Sequence, residues 1–267
     1  MAVYVPSGLL QIVRAFINPE QYIGGRSAVY ERGVLSRARK GVTLSLVYLI
    51  GLALYALPLT YAGFGMATAT AEPPQQIAAL AGAFGWNVAE LWIFVRSFAE
   101  NTAFLVTGSI AIFVVFHIAV VVLRTSQGLL QSVHTIVYAS GMYLAAVYSF
   151  VWALSISESV VVADRVVLAV QSAFISTIID LTGTSVTLPG GNVVMPNTAG
   201  MTTTGYVFLT GLAVSIVYLL YSLYAGVRTN HNGSRIQAFG TVVLVSSAPV
   251  LYVLGSIAIS VFEIGIP

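Results

Sequence analysis

The residues of this chain that could do chemistry inside a membrane are two histidines, His117 and His134, each set in a long apolar stretch. Ionisable groups are costly in hydrocarbon and by default mark ion paths or proton relays there. A short polar connection separates the two stretches, so the imidazoles can sit at similar depth on a helical hairpin and share a metal or a haem. The plainer reading is two polar side chains bonded to backbone or to nearby hydroxyls such as Thr135 and Ser140. The lack of a third ligand or an orienting carboxylate beside either ring favours it. Lys40, the only lysine, precedes the first apolar stretch, which excludes a retinal Schiff base. The absence of cysteine removes disulfides, thiolate metal sites and cysteine nucleophiles. No Gly-rich phosphate loop, Ser–His–Asp set or carboxylate pair stands out. Neither an enzyme nor a cofactor is expected.

The elements that must hold these histidines follow from composition. Of the 267 residues, 58% are hydrophobic and 7% charged, against roughly 25% charged in soluble domains. Mean hydropathy is +0.91, and the net charge of +2 gives no reason to expect nucleic acid. A crossing helix needs about 20 mostly apolar residues. Five stretches meet this without Asp, Glu, Lys or Arg: Gly41 to Ala62, Phe104 to Leu123, Ser132 to Leu154, Tyr206 to Ala225 and Gln237 to Phe262. Residues 76–100 hold Glu90, Arg96 and Glu100; residues 158–180 leave only about 14 apolar residues between Arg165 and Asp180. Both are expected as interfacial helices or helices packed against the bundle.

Charge placement agrees with five crossings. With the N-terminus inside, 9 of the 11 basic residues fall inside, and only Arg96 and Arg165 fall outside. A sixth crossing at 158–180 would move Arg228 and Arg235 outside. Trp86, Trp92 and Trp152 fall in or beside the outer segments, as an interfacial aromatic belt would. Residues 1–13 lack the basic and apolar regions of a secretory signal peptide.

Residues 1–40 are expected as a cytoplasmic amphipathic and basic segment, and 41–267 as the membrane domain with an outer insertion at 155–205. Leu9, Leu10, Val13, Phe16 and Ile17 recur at helical spacing up to Pro19, with Arg14 on the other side. Arg14, Arg26, Arg32, Arg37, Arg39 and Lys40 can meet anionic lipid or simply set orientation. Two β-branched runs around Pro189-Gly190-Gly191 read as a hairpin, Ser185–Leu188 against Asn192–Met195. Asn232-Gly233-Ser234 matches a glycosylation sequon but falls inside. Gly141 and Gly211 permit close helix approach, and Pro58 and Pro249 should kink their helices.

Three stretches resemble the prokaryotic branch of the Yip-domain (Ypt/Rab-interacting) family of five-span membrane proteins. They are LLQIVRAFINPEQYI (Leu9 to Ile23), FHIAVVVLRTSQGLLQSVHTIVYASGMYL (Phe116 to Leu144) and LYSLYAGVRTNHNGSRIQAF (Leu220 to Phe239). The points of likeness are Asn18-Pro19, His117, Thr135, Tyr138-Ala139-Ser140, Gly226, His231 and the helix start at Ala238. The resemblance implies a cytoplasmic N-terminus and an outer C-terminus, and makes His117 a family feature. The usual glycine pair of the second turn is replaced by Arg124-Thr125-Ser126-Gln127-Gly128, the proline often following the Tyr-Ala-Ser stretch is absent, and the outer hairpin reads as an insertion. The acidic N-terminal region that accompanies Rab binding in eukaryotic members is missing, which argues against a Rab-type GTPase partner.

The expected fold is therefore an all-α polytopic membrane protein with five transmembrane helices, interfacial helices and a small outer β-hairpin. The expected role is a non-enzymatic scaffold or accessory subunit in a prokaryotic plasma membrane, binding lipid, other integral membrane proteins or itself. A transporter or channel for a small or lipidic solute, and a haem- or metal-binding electron-transfer subunit, are the alternatives.

Overall fold

The computed structural model describes residues 18, 20, 23, 34–61, 72–184, 186 and 194–261. Seven α-helices are described: α1 (Val34–Tyr61), α2 (Gln75–Phe84), α3 (Val88–Val122), α4 (Leu129–Ser155), α5 (Val160–Thr182), α6 (Thr203–Asn230) and α7 (Arg235–Val261). Six of them, all but α2, are long and apolar enough to cross a bilayer. The chain is a multi-pass integral membrane protein. Apolar side chains such as Leu46, Val47 and Ile50 of α1 point outward, as they do where lipid replaces water.

One expected segment divides differently. Residues 76–100 are not a single interfacial helix. Gly85 adopts a left-handed conformation that caps α2, and the Asn87 side chain accepts the Ala89 and Glu90 N–H groups to start α3. Nothing stops the helix near residue 100, where Arg96 and Glu100 pair one turn apart at 2.8 Å. Asn101, buried, donates to Thr60 Oγ1 at 3.0 Å. So 88–100 runs unbroken into the next apolar stretch. At 1.5 Å per residue α3 is roughly 50 Å long, well beyond a hydrocarbon core of about 30 Å.

Side-chain pairs give the helix directions. Tyr48 bonds Ser109 and Tyr61 packs on Phe94, so α1 and α3 are antiparallel. Tyr55 packs on Tyr148 and Tyr61 on Trp152, so α1 and α4 run parallel. Asn230 bonds Thr135 while Phe150 meets Phe208, so α4 and α6 are antiparallel. The turns Leu123–Gly128 and His231–Ser234 thus lie at one end of the bundle, here named the turn end.

Both ends of α5 contact the opposite end. Ala163 packs with Leu154, Met201, Leu209 and Leu212, near the start of α6. Ile178 and Ile179 pack with Val253 and Ile257, near the finish of α7. Between Arg165 and Asp180, α5 carries about 21 Å of helix free of charged residues. The expected hairpin lies largely outside the described residues; Val194 and Met195 carry no regular structure, and no strand occurs among the described residues. The expected N-terminal amphipathic helix lies outside them too, except for isolated positions such as Asn18.

The core sits at the turn-end half, where Phe116, Val120, Ile136, Ala139, Leu223, Val227 and Ala238 are all buried together. Small residues set the spacing of α4 and α6. A Cβ on Gly226 would overlap the Thr135 methyl, and one on Gly211 would lie 2.7 Å from the Phe150 ring. Gly141 has open space beside it, and its carbonyl accepts from Tyr55 at 3.4 Å. Pro58 and Pro249 lie inside α1 and α7; Ser247 donates to the Leu244 carbonyl at 2.7 Å near the second. Gly226→Ala should lower stability by about 1–3 kcal/mol through overpacking. Gly108→Ala, where nothing lies within 4 Å, should not. Thermal unfolding of the two variants in the same detergent checks this.

Candidate functional site

The polar residues of the bundle gather at the turn end. The connection after α3 closes on itself: Thr125 donates to the Val120 carbonyl from both its N–H (2.9 Å) and its hydroxyl (3.2 Å). Arg124 takes a left-handed φ of 55° to reverse the chain, and Gly128 one of 122°. The connection after α6 closes similarly. Asn232 has φ 51°, and the Gly233 N–H reaches back to the Val227 carbonyl at 3.1 Å. Arg228 donates to the Gly233 carbonyl at 2.7 Å. Ser234 and Gln237 then form a reciprocal capping box that starts α7. The sequon triplet is thus the turn itself: Asn232 supplies the left-handed residue, Gly233 the close approach, Ser234 the cap.

His231 ties the two turns together. The Gln127 backbone N–H donates to its Nδ1 at 3.1 Å, and its Nε2 lies 3.3 Å from Ser132 Oγ. Ser132 Oγ in turn lies 2.9 Å from His117 Nδ1. A backbone N–H can only donate, so Nδ1 of His231 is the acceptor and Nε2 carries the proton. Ser132 accepts that proton's bond and has its own O–H to give to His117. The relay therefore has a single direction, from backbone through two imidazoles bridged by one hydroxyl. Ser132 and His231 are completely buried, against Phe116; His117 is half-buried and stacks on Phe113. Gln237 adds a second tie, donating to the Leu123 carbonyl at 2.9 Å.

His117 and His134 bond separately, as in the plainer reading. His134 lies two residues from Ser132, roughly 200° around α4 at 100° per residue, and so faces elsewhere. Its Nε2 donates to the Ile23 carbonyl at 3.1 Å, and its ring packs on Tyr138. Thr135 and Ser140, the hydroxyls nearest in sequence to the expected contacts, are not the partners in these bonds; Ser132 and a backbone carbonyl are. The bonds of His117 and His134 do not converge on one point. Among the described residues no cluster of three metal-ligating side chains occurs.

No family model, no curated protein and no solved structure matches this chain. The site must be read from its own geometry. Its true second member, His231, stands in sequence among turn residues, Asn230-His231-Asn232-Gly233-Ser234. A histidine flanked by turn-formers in a short connection between two spans is the signal that points to it.

Of the six basic residues expected at the membrane surface, Arg39 is exposed in the first turns of α1. Lys40 and Arg37 belong to the same helix, and Arg14, Arg26 and Arg32 lie outside the described residues. Arg124, Arg228 and Arg235, all exposed, surround the same end.

Burial, with the nearby His117 ring opposing a second charge, pushes His231 down to about 4. Its neutral form is what the fold holds. In the unfolded chain the imidazole titrates near 6.5, so unfolded molecules bind a proton first as pH falls. Stability from this residue is therefore complete above about 6.5, declines as pH drops toward 4, and declines no further below that. The thermal midpoint should fall over that window in the native protein, and His231→Gln should lower the midpoint at pH 7.5 while flattening the slope. A pH series of melting curves on both proteins checks it.

Proposed function

We propose that this chain is a non-enzymatic membrane scaffold or accessory subunit, crossing the bilayer five times, with the turn end in the cytoplasm. The observation that carries the reading is how the polar residues are used. His117, Ser132, His231, Gln127, Thr135, Asn230 and Gln237 bond to one another or to backbone, fastening four helices, and leave the apolar bundle faces turned outward. A relay so occupied is a clasp, with Ser132 sealed from any reactant. The large outward apolar faces are then available for lipid and for the helices of other membrane proteins, or of a second copy.

The residues that carry the Yip-domain resemblance lie close together in the fold. His117, Thr135, Gly226, His231 and Ala238 come from two separate stretches and converge on this clasp and the core beneath it. Ile23, from the first stretch, accepts from His134 through its carbonyl.

Five crossings are supported by the two ends of α5, which both pack against the end opposite the turns. The positive turn end, with Arg39, Arg124, Arg228 and Arg235, supports a cytoplasmic assignment. A lipidic-solute transporter is the second reading, favoured by an apolar cavity of about 280 Å³ between α1, α3 and α4.

The absence of cysteine makes the topology directly testable. Single cysteines at exposed Glu158, Asp180 and Arg235 should divide as two against one toward an impermeant thiol reagent. Glu158→Cys and Asp180→Cys label from the same side, and Arg235→Cys only from the other. Labelling of Glu158→Cys and Asp180→Cys from opposite sides would make α5 a sixth crossing and end the five-span reading. The scaffold role predicts that crosslinking in native membranes, followed by mild-detergent purification, retains a protein in fixed stoichiometry. A solitary monomer at every crosslinker concentration would count against it.

A further inference from the structure

The cavity between α1, α3 and α4 is lined by Ser45, Tyr48, Leu52, Ser109, Phe113 and Val137, among others, and is almost wholly apolar. Two further lining residues, Leu49 and Ile110, are 43% and 57% exposed. They belong to α1 and α3, so the opening lies between these two helices on the lipid side. The Tyr48 and Ser109 hydroxyls bond to each other at 2.9 Å across it, leaving hydrocarbon as the dominant surface presented to an occupant. An apolar void of this size, open to a bilayer, takes an acyl chain more readily than water.

Charge selects which lipid. The cavity lies toward the turn end: Ser45 is six residues along α1 from exposed Arg39, roughly 9 Å, and Phe113 is nine residues from the finish of α3, beside exposed Arg124. Arg26, Arg32, Arg37 and Lys40 also precede the cavity residues in the sequence. Phe113 also stacks on His117, joining the cavity wall to the clasp.

We propose that this cavity is a binding site for one acyl chain of an anionic phospholipid from the leaflet at the turn end, with its headgroup held by Arg39 and Arg124. This goes beyond the scaffold reading and fails separately from it, because the test uses the purified chain with no partner protein present.

The probe is phosphatidylglycerol carrying a diazirine in its acyl chain, presented to the full chain in phosphatidylcholine nanodiscs. Adducts should concentrate in residues 45–52 and 106–113, and unlabelled phosphatidylglycerol should displace them at least tenfold better than phosphatidylcholine. Val106→Trp, which fills the cavity, should cut these adducts about tenfold. Arg39→Gln and Arg124→Gln should each weaken the preference for phosphatidylglycerol roughly fivefold while adducts still form in the cavity. If Val106→Trp does not fold, the adduct map and the competition on the native chain decide alone. Adducts spread evenly over the outward faces of α1, α3, α6 and α7, equal competition by the two lipids, or adducts unchanged in folded Val106→Trp would each overturn the proposal. So would crosslinks from the cavity to a second copy of the chain in place of lipid.

Discussion

Hydrocarbon offers no hydrogen bonds, and that constraint organises this molecule. A polar group placed below the membrane surface is costly unless it finds a partner within the chain. Here the solution is local: hydroxyls on the helices, such as Thr43, Thr60, Ser149 and Ser215, return to carbonyls one turn back. Several larger polar side chains meet at the turn end, where His231 accepts from the Gln127 backbone and meets Ser132. Removing His231 takes the partner from the Gln127 N–H and leaves Ser132 bonded to His117 alone, and a donor left unsatisfied in a buried site costs about 1–3 kcal/mol. The clasp is thereby a more demanding feature than its small size suggests.

The clasp and the close helix contacts reinforce each other. Gly226 lets α6 lie against Thr135 of α4, and the same approach brings Asn230 within 2.9 Å of Thr135 Oγ1 and sets His231 beside Ser132. In lipid the hydrophobic effect does not drive helices together, so packing of this kind carries the association. Away from the clasp the packing is mixed: Gly108, Gly141 and Gly255 have open space beside them, whereas Gly211 abuts Phe150.

The far end follows another logic. α3 projects beyond the hydrocarbon and carries its charges there, with Arg96 and Glu100 neutralising one another at 2.8 Å. Tyr61, Phe94 and Trp152 pack ring on ring at that level, and Phe84 stacks on Trp86 beside α2. Amphipathic rings suit such a boundary, with apolar bodies inward and polar edges toward water.

Much of this was legible in the linear chain, for physical reasons. Length and hydropathy determine which segments must be helical in a bilayer, since an unpaired backbone cannot persist there, and the helices at 41–61, 104–122, 132–154, 206–225 and 237–261 follow from that alone. Composition also excludes thiol chemistry. The break at Gly85 and the start at Asn87 are written in local cap chemistry, yet the unbroken run from Val88 to Val122 was hidden, because Glu90, Arg96 and Glu100 look like a membrane boundary until Asn101 is seen bonded to Thr60. Which histidines meet was decided only by the tertiary structure. His117 and His134 are near in sequence but lie on different sides of α4. His231, over a hundred residues away from His117, arrives beside it because two antiparallel hairpins bring their turns to one end. Helical periodicity is a property of neighbours along the chain, whereas a site shared between helices depends on how they pack, and small residues such as Gly226 set that packing at distances no local pattern encodes.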